Sequence, residues 1–252
     1  MTLPEKAAEL LRLHTAPELL ILVNVWDVAS ARTVAAQPGC RAIATASAAI
    51  AATFGYPDGE HIPVDLVLDM TARIAAAVDL PVTADLEAGY GDVATTIRRA
   101  IGVGVVGANL EDRMRPLPEA VAAVRTAVKA AEREGVPFVL NARTDAYLLA
   151  RDRDRAAVIT DAIERGRAFL DAGASCVFVP DRLDADTIGA LVDGLGQRTV
   201  SILGLPGTPP PSALAALGVA RVSYGPVPRR LLLAGLARTA TALLSGGSLP
   251  SA

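Results

Sequence analysis

Short runs of apolar residues recur along this chain, separated by segments in which apolar and polar positions follow a helical period. The runs predict eight strands, over residues 20–25, 42–46, 81–86, 105–110, 137–142, 175–179, 199–203 and 221–224. The intervening patterns predict helices that include residues 64–78, 93–101, 117–134 and 156–172. Gly135 and Gly173 follow the last two, as glycine commonly follows a helix C-terminus. Strands that are apolar throughout are typical of a parallel sheet covered by helices, so the pattern predicts repeated βαβ units.

The eight predicted strands favour closure into a ring. About 250 residues is the usual length of a (β/α)8 TIM barrel, so residues 1–252 are predicted to form a single TIM-barrel domain of the α/β class. Residues 1–18 are expected to form an N-terminal helical segment, and residues 246–252 a flexible tail. An open, doubly wound α/β sheet is the alternative that the pattern allows.

The composition argues against several classes of partner. The chain has 24 Lys and Arg residues against 27 Asp and Glu residues, a formal net charge of −3 and no basic stripe, so we expect no nucleic-acid binding. We also expect no membrane contact and a cytoplasmic location, because neither a run of about twenty apolar residues nor a signal-peptide pattern is present. Cys40 and Cys176 stand far apart in or beside apolar runs, and we interpret them as buried apolar residues rather than as a disulfide or a metal pair.

Functional side chains follow most of the predicted strands. In a TIM barrel, the C-terminal ends of the strands and the loops after them carry the active site. The residues found there include Trp26, Asp27, Ser47, Asp58, Asp85, Glu87, Glu111, Arg113, Arg143, Asp181 and Ser201. Any one of them can simply cap the next helix. Four carboxylates from three loops are nevertheless expected to meet at one mouth, namely Asp58, Asp85, Glu87 and Glu111.

Such a group of carboxylates predicts a metal site. Like charges repel one another at close range unless a cation lies among them. Oxygen ligands alone favour Mg²⁺, with Mn²⁺ as an alternative, over Zn²⁺. The two histidines, His14 and His61, are not spaced as a pair of metal ligands. The sequence therefore predicts Mg²⁺ bound by the four carboxylates.

Arg143 is the cation that stands at a strand end among polar neighbours. We predict that it clamps a substrate carboxylate and stabilises charge that develops during the reaction. The chain has two lysines, and neither follows a predicted strand, which argues against a Schiff-base mechanism. The acid or base is left open among Tyr56, Tyr90, Arg113 and a metal-bound water.

Together these motifs resemble the isocitrate lyase/phosphoenolpyruvate mutase superfamily. The motifs are Gly55-Tyr56-Pro57-Asp58-Gly59, Val82 to Gly91, Asn109-Leu110-Glu111-Asp112 and Asn141-Ala142-Arg143-Thr144-Asp145, within a similarity that runs from Asn24 to Gly225. The resemblance implies a TIM barrel that forms a homodimer or homotetramer by exchanging its C-terminal helix between subunits. It also implies Mg²⁺, a small 2-oxo or 2-hydroxy carboxylic acid as substrate, and a metal-stabilised enolate during C–C or P–C bond chemistry.

The resemblance also implies roles for individual residues. Asp85 would contact the metal most directly, while Asp58, Glu87 and Glu111 would hold the ion or its waters. The residues predicted to bind the substrate, from the strand ends and from the resemblance, are Trp26, Asp27, Thr45, Ala46, Ser47, Arg143, Asp181 and Ser201. Within this set, residues 45–47 would bind a substrate carboxylate, and Arg143 would act as the clamp.

The loop after the fourth predicted strand departs from the pattern of the superfamily. Residues 113–118 contain neither the cysteine motif of isocitrate and methylisocitrate lyases nor the longer gating loop of the phosphonate enzymes, so neither isocitrate lyase nor methylisocitrate lyase activity is expected. The predicted function is a Mg²⁺-dependent, lyase-type enzyme that cleaves a C–C bond of a small carboxylic acid. The alternatives are a P–C mutase or hydrolase similar to carboxyvinyl-carboxyphosphonate phosphorylmutase, an oxaloacetate-type hydrolase, and a non-catalytic metabolite-binding protein.

Overall fold

The structure, a computed structural model, describes residues 1–249. Within these residues, nine parallel strands form one sheet. The strands are β1 (Leu20–Leu22), β2 (Asn24–Val25), β3 (Ile43–Thr45), β4 (Val82–Asp85), β5 (Gly107–Glu111), β6 (Val139–Arg143), β7 (Cys176–Val179), β8 (Val200–Leu203) and β9 (Arg221–Ser223).

The sheet closes through a break in its first strand. Only Val23 separates β1 from β2, and the two segments pair with opposite ends of the sheet: Leu20 lies opposite Arg221 of β9, and Asn24 lies opposite Ala44 of β3. β1 and β2 therefore occupy together the position of one strand, and the ring has the eight strand positions that the sequence predicts. The TIM barrel is confirmed, and the open sheet is excluded.

Helices alternate with the strands. They are α1 (Leu3–Thr15), α2 (Val28–Ala35), α3 (Ser47–Thr53), α4 (Val64–Ala76), α5 (Val93–Gly102), α6 (Leu117–Arg133), α7 (Arg155–Asp171), α8 (Ala185–Leu195), α9 (Pro211–Ala216) and α10 (Val227–Leu244). The four helices predicted explicitly from the sequence begin and end within two residues of α4, α5, α6 and α7. The main apolar core lies between the ring and these helices: Ala108 and Leu110 of β5 share a cluster with Ile101 of α5 and Ala127 of α6.

Helix α1 packs at the end of the ring where the strands begin. A capping box of Thr2 and Glu5 starts this helix, which buries Leu10 and His14. At Gly107, the first residue of β5, a Cβ atom would lie 2.8 Å from the Leu10 side chain, so glycine permits this close contact. The opposite end of the ring, where the strands end, is left to the loops that carry the predicted site.

Helix α10 differs from the other helices of residues 1–249, because it buries none of its residues. Leu231 is 68% exposed, Leu236 is 63% exposed and Leu244 is 89% exposed. The predicted exchange of this helix between subunits stays a prediction. The predicted tail, residues 246–252, lies partly outside the described residues. No helix in the described part of the chain is long and apolar enough to cross a membrane.

Candidate active site

The C-terminal ends of four neighbouring strands build the mouth of the barrel. Asp85 ends β4, Glu111 ends β5 and Arg143 ends β6, while Ser47 begins α3 directly after β3. Parallel pairing sets their heights, since Asp85 lies opposite Asn109, and Glu111 lies opposite Arg143. These residues therefore meet because the register of the sheet brings the C-terminal ends of adjacent strands together.

Ser47 joins the two aspartates of the mouth. Its hydroxyl donates to Asp85 Oδ2 at 2.8 Å and lies 3.4 Å from Asp58 Oδ1, and its backbone N–H also donates to Asp85 Oδ2 at 3.2 Å. The Asp85 N–H in turn donates to Thr45 Oγ1 at 3.0 Å. Partial burial and the nearby Asp85 carboxylate raise the pKa of Asp58. Within residues 1–249, no Arg, Lys or His lies within 4.0 Å of either aspartate's carboxylate.

Arg113 ties three acidic side chains together beside this pair. Its guanidinium lies 2.8 Å from Glu111 Oε1, 3.1 Å from Glu60 Oε2 and 3.4 Å from Glu87 Oε2. The backbone φ is +48° at Arg113 and +49° at Glu87, a left-handed conformation that side chains rarely adopt and that turns both residues at the rim. Arg113 therefore bridges the loops after β3, β4 and β5.

Glu87 is buried and crowded by negative charge. Burial, followed by repulsion from Asp85, Asp58 and Glu111, raises the pKa of Glu87 to about 7. The Tyr90 hydroxyl donates to Glu87 Oε1 at 3.0 Å and opposes part of this shift. Glu87 therefore holds a proton more tightly than a free glutamate does.

Arg143 lies between two carboxylates. Its Nη1 is 2.8 Å from Glu111 Oε2 and its Nε is 2.7 Å from Asp145 Oδ1. Burial opposes the guanidinium charge, but Glu111 and Asp145 outweigh it and the pKa of Arg143 is raised. In the described part of the chain, no contact within hydrogen-bonding distance engages the third nitrogen, Nη2. The Nη2 group of Arg143 can therefore donate hydrogen bonds to a ligand.

Sequence reasoning did not predict the role of Glu60. Its Oε1 accepts hydrogen bonds from the backbone N–H groups of Ala88 and Tyr90, at 3.1 and 2.6 Å, and its Oε2 pairs with Arg113. Glu60 thus shapes the turn that presents Glu87. Its φ of +65° and its partners 28 and 30 residues away leave no local pattern in the sequence.

The remaining predicted residues lie in different surroundings. Ala46 precedes α3 beside Ser47 and is buried, and Trp26 packs against an apolar cluster that includes Ile50. Ser201 is 0% exposed and lies inside the ring below the mouth, where its hydroxyl accepts a hydrogen bond from Asn141 at 3.3 Å. These positions place Ala46 next to the acidic group, while Ser201 lies beneath it.

Three predicted residues make no hydrogen bond to the acidic side chains within residues 1–249. Asp27 caps α2 by accepting from the Ser30 N–H at 2.7 Å. Asp181 accepts from the N–H of Arg182 at 2.6 Å, and Tyr56 is exposed. Their substrate-binding or catalytic roles stay predictions.

The donor set fits a hard divalent cation that retains water ligands. The side chains of Ser47, Asp58 and Asp85 offer oxygen atoms only, and the two aspartates have no cationic partner in the part of the chain that the structure describes. Glu87 and Glu111 are held by arginines, and no three His, Cys, Asp or Glu side chains of residues 1–249 are arranged to enclose an ion by themselves. Mg²⁺ commonly binds through one or two carboxylates and several waters.

The fold and this acidic mouth define a class, the (β/α)8 barrels whose strand ends carry carboxylates and a clamping arginine. The profile of the phosphoenolpyruvate phosphomutase family matches residues 10–244. The chain belongs to this family, within the isocitrate lyase/phosphoenolpyruvate mutase superfamily. The resemblance seen in the motifs is therefore confirmed.

Two curated relatives illustrate the range of the match. An uncharacterized protein of Mycobacterium tuberculosis is 33% identical over 241 residues, which cover 94% of this chain and 90% of the relative. The 2-methylisocitrate lyase of Bacillus subtilis is 28% identical over 196 residues, which cover 72% of this chain and 62% of that enzyme. The chain thus spans less than two thirds of the length of this lyase.

Solved structures support the same placement. A candidate phosphonomutase of Burkholderia cenocepacia superposes with a TM-score of 0.88 at 38% identity, covering 95% of this chain and 99% of that one. An oxaloacetate acetylhydrolase in complex with its product oxalate superposes with a TM-score of 0.86 at 26% identity, covering 98% of this chain and 89% of that one. The superfamily thus includes lyases, mutases and hydrolases, which supports an enzyme of the lyase type.

Proposed function

We propose that this protein is a Mg²⁺-dependent lyase that cleaves a C–C bond of a small 2-oxo or 2-hydroxy carboxylic acid and forms an enolate. The observation that carries the proposal is the pair of aspartates, Asp58 and Asp85, joined by Ser47, without a cationic partner in residues 1–249 and close to the arginine-held Glu111. A cation bound by the two aspartates would compensate their negative charge, and it would also attract an anionic substrate to the mouth.

The metal would be held by Asp85 and Asp58, with Glu87 and Glu111 reached through its waters, and Mn²⁺ would serve as a substitute. When bound there, the ion supplies Lewis-acid polarisation of the substrate oxygen. The need for charge compensation supports this assignment, because burial and the nearby Asp85 carboxylate raise the pKa values of Asp58 and Glu87.

The chain's own side chains would orient the substrate. Arg143 has an unengaged Nη2 in the described residues, and it would bind the substrate carboxylate while Glu111 and Asp145 fix the guanidinium plane. Residues 45–47 would bind the same carboxylate from the other side. Holding the carboxylate between two strand ends fixes the scissile bond relative to the metal, which lowers the entropic part of the barrier.

The role of base is assigned to Tyr56. Arg113 is assigned to stabilising the negative charge that develops, because burial opposes its charge but its three carboxylate partners outweigh burial and raise its pKa, so the guanidinium stays protonated. A base removes the hydroxyl proton of a 2-hydroxy acid, the C–C bond breaks to leave a carbonyl product, and the electron pair remains on the other fragment as an enolate that takes up a proton at carbon. Arg113 contacts Glu87 and Glu111 at the rim, and Tyr56 precedes Asp58 on the adjoining loop.

The test is turnover of a panel of 2-oxo and 2-hydroxy mono- and dicarboxylates with Mg²⁺, with Mn²⁺ and with EDTA. The expected result is cleavage of at least one member, abolished by EDTA and restored by Mg²⁺. Cleavage that ignores EDTA would reject the mechanism.

A P–C mutase or hydrolase is the second candidate, favoured by the family match and by the Burkholderia cenocepacia neighbour. Phosphonate substrates followed by ³¹P NMR distinguish it, because conversion moves the phosphorus resonance. Oxaloacetate in the panel tests the hydrolase alternative, whose products are oxalate and acetate. Thermal stabilisation by these acids without any product would instead indicate a non-catalytic metabolite-binding protein.

We also propose that the protein forms a homodimer or homotetramer in which α10 packs on a second copy of the chain. The exposed leucines of α10, with no buried residue along its 18-residue length, support this. A helix of this kind gains most of its stability from packing, so an uncovered α10 would be marginal.

A further inference from the structure

A second polar group lies inside the barrel, beneath the acidic mouth and apart from it. At its centre is Arg221 of β9, which is 1% exposed. Its Nη2 lies 3.2 Å from Asn109 Oδ1, and that oxygen also accepts from Asn141 Nδ2 at 2.8 Å. Asn141 Nδ2 lies 3.3 Å from the Ser201 hydroxyl as well. We call Asn109, Asn141, Ser201 and Arg221 the barrel floor.

The guanidinium of Arg221 is largely unpartnered. Its Nε and Nη1 have no hydrogen-bond partner among residues 1–249, although both are buried. No carboxylate of residues 1–249 lies within 4.0 Å of it, whereas the other nearly buried arginine, Arg165, pairs with both Asp112 and Asp161. A buried charge without a counter-charge strongly destabilises a folded protein.

The Asp85 carboxylate of the mouth favours the charged form of Arg221 from a distance, but none of the groups of residues 1–249 that lie closest to the guanidinium is an anion. Burial raises the pKa of the Cys176 thiol to about 12, so this thiol is neutral at physiological pH. Burial and the charge of Arg221 lower the pKa of His14 to about 3, so this imidazole is neutral as well. Burial also lowers the pKa of Arg221 itself, to about 10, which still leaves it charged. The floor therefore carries one positive charge, and no described residue places a negative charge within 4.0 Å of it.

From this arrangement we infer that the barrel floor binds a small monovalent inorganic anion of the halide type, held by Arg221 Nε and Nη1. Water can satisfy the free N–H groups, and it can also reach the unpartnered Asn141 Oδ1, but it does not neutralise the charge. A monovalent ion matches the single charge. The bound anion is separate from the proposed substrate, because Arg221 is 1% exposed whereas Arg143, which would bind the substrate, has a side chain that is 22% exposed at the mouth.

Bromide diffraction tests this inference directly. Crystals of the wild-type protein grown in sodium bromide are expected to show an anomalous peak in contact with Arg221 Nε and Nη1. Bromide peaks at Arg143 or on the surface do not bear on the floor. Density beside Arg221 without anomalous signal, or no density there, would identify water or an empty floor and overturn the inference.

Thermal unfolding supplies a second readout that does not depend on crystals. At constant ionic strength, replacing sodium gluconate with sodium bromide is expected to raise the Tm of the wild type by about 3 °C for each tenfold increase above the bromide Kd. Arg221→Met should abolish this increase. The control Arg125→Met removes an exposed arginine of α6 and should retain it. An equal increase in both variants would overturn the inference, and if Arg221→Met fails to fold, the wild-type bromide map decides.

Discussion

Arg143 Nη1 lies 2.8 Å from Glu111 Oε2, and the two residues end neighbouring strands in direct register. The pair therefore results from the barrel itself, since residues opposite each other on adjacent parallel strands must meet. A cation and an anion fixed by backbone pairing give the mouth a rigid side against which a substrate can be held. The opposite side is formed by Asp85, Ser47 and Asp58.

Asp85→Asn should weaken Mg²⁺ binding by about 100-fold or more, because it removes the charge of the carboxylate that we assign as the most direct ligand. The amide has nearly the same shape and can still accept the Ser47 hydrogen bond, so the far-UV circular dichroism spectrum and the Tm should change little. Isothermal titration calorimetry measures the affinity. Asp79→Asn removes an exposed carboxylate of the same type and should bind Mg²⁺ normally. Equal affinities in the two variants would remove Asp85 from the ligand set.

Arg143→Lys should weaken binding of oxalate, a carboxylate probe, by about 10- to 100-fold in the presence of Mg²⁺. Lysine keeps the charge near Glu111 and Asp145 but cannot hold both carboxylates and still offer the N–H donors of a fixed Nη2 to the ligand, and charge-assisted hydrogen bonds of this kind contribute about 1.5–3 kcal/mol. Calorimetric titration of oxalate measures the change. Arg125→Lys is the matched surface control. Wild-type oxalate affinity in Arg143→Lys would show that the guanidinium does not contact the ligand.

His14 should make the fold less stable in mild acid. Its pKa is lowered from 6.5 to about 3 in the folded protein, so the unfolded chain binds the proton more readily. The contribution of His14 is complete above pH 6.5 and is lost progressively as the pH falls towards 3, with about 2 kcal/mol lost at pH 5. Glu87 has a raised pKa and acts with the opposite sign. The effect of His14 is therefore measured by comparing the pH dependence of the free energy of unfolding of the wild type with that of a variant that lacks the imidazole.

Urea unfolding of the wild type and of His14→Leu at pH 8 and pH 5 isolates this contribution. The free energy of unfolding of the wild type should fall by about 2 kcal/mol more than that of His14→Leu between the two pH values. Parallel pH dependence in both proteins would mean that His14 titrates normally in the folded state.

Replacing two exposed leucines of α10, in Leu232→Glu/Leu236→Glu, should convert the oligomer into monomers. The substitutions place charges on an apolar helix that buries no residue within its own chain, so the barrel itself should be unaffected. Size-exclusion chromatography with light scattering reports the mass, and circular dichroism reports the fold. A wild-type protein that is already monomeric at micromolar concentration would contradict the proposed assembly.

The sequence is sufficient to predict the barrel because its strands are apolar throughout and its helices have clear ends. It also predicts the residues of the mouth, since strand ends converge in any barrel. The break at Val23 was not predicted, because residues 20–25 read as one strand and the single polar residue Asn24 does not by itself mark a break. Glu60 could not be placed either, as its role depends on a left-handed backbone and on distant partners.

Two further residues show where the sequence pattern is ambiguous. Asp27 follows a strand as a binding residue would, but its carboxylate caps α2, and the two roles share one local signature. Arg221 was included in a predicted strand, and strand position alone does not tell whether a charge faces the interior of a barrel or its surface. Only the assembled ring shows that this arginine is buried.

The central claim is that the aspartates at the mouth hold a divalent cation beside a carboxylate ligand. Its most direct test is a crystal of the protein grown with Mn²⁺ and oxalate, measured for the anomalous signal of manganese. We predict one manganese peak coordinated by Asp85 and close to Asp58, with oxalate between the ion and Arg143. Manganese bound elsewhere, or oxalate in the mouth with no metal beside Asp85, would contradict the claim.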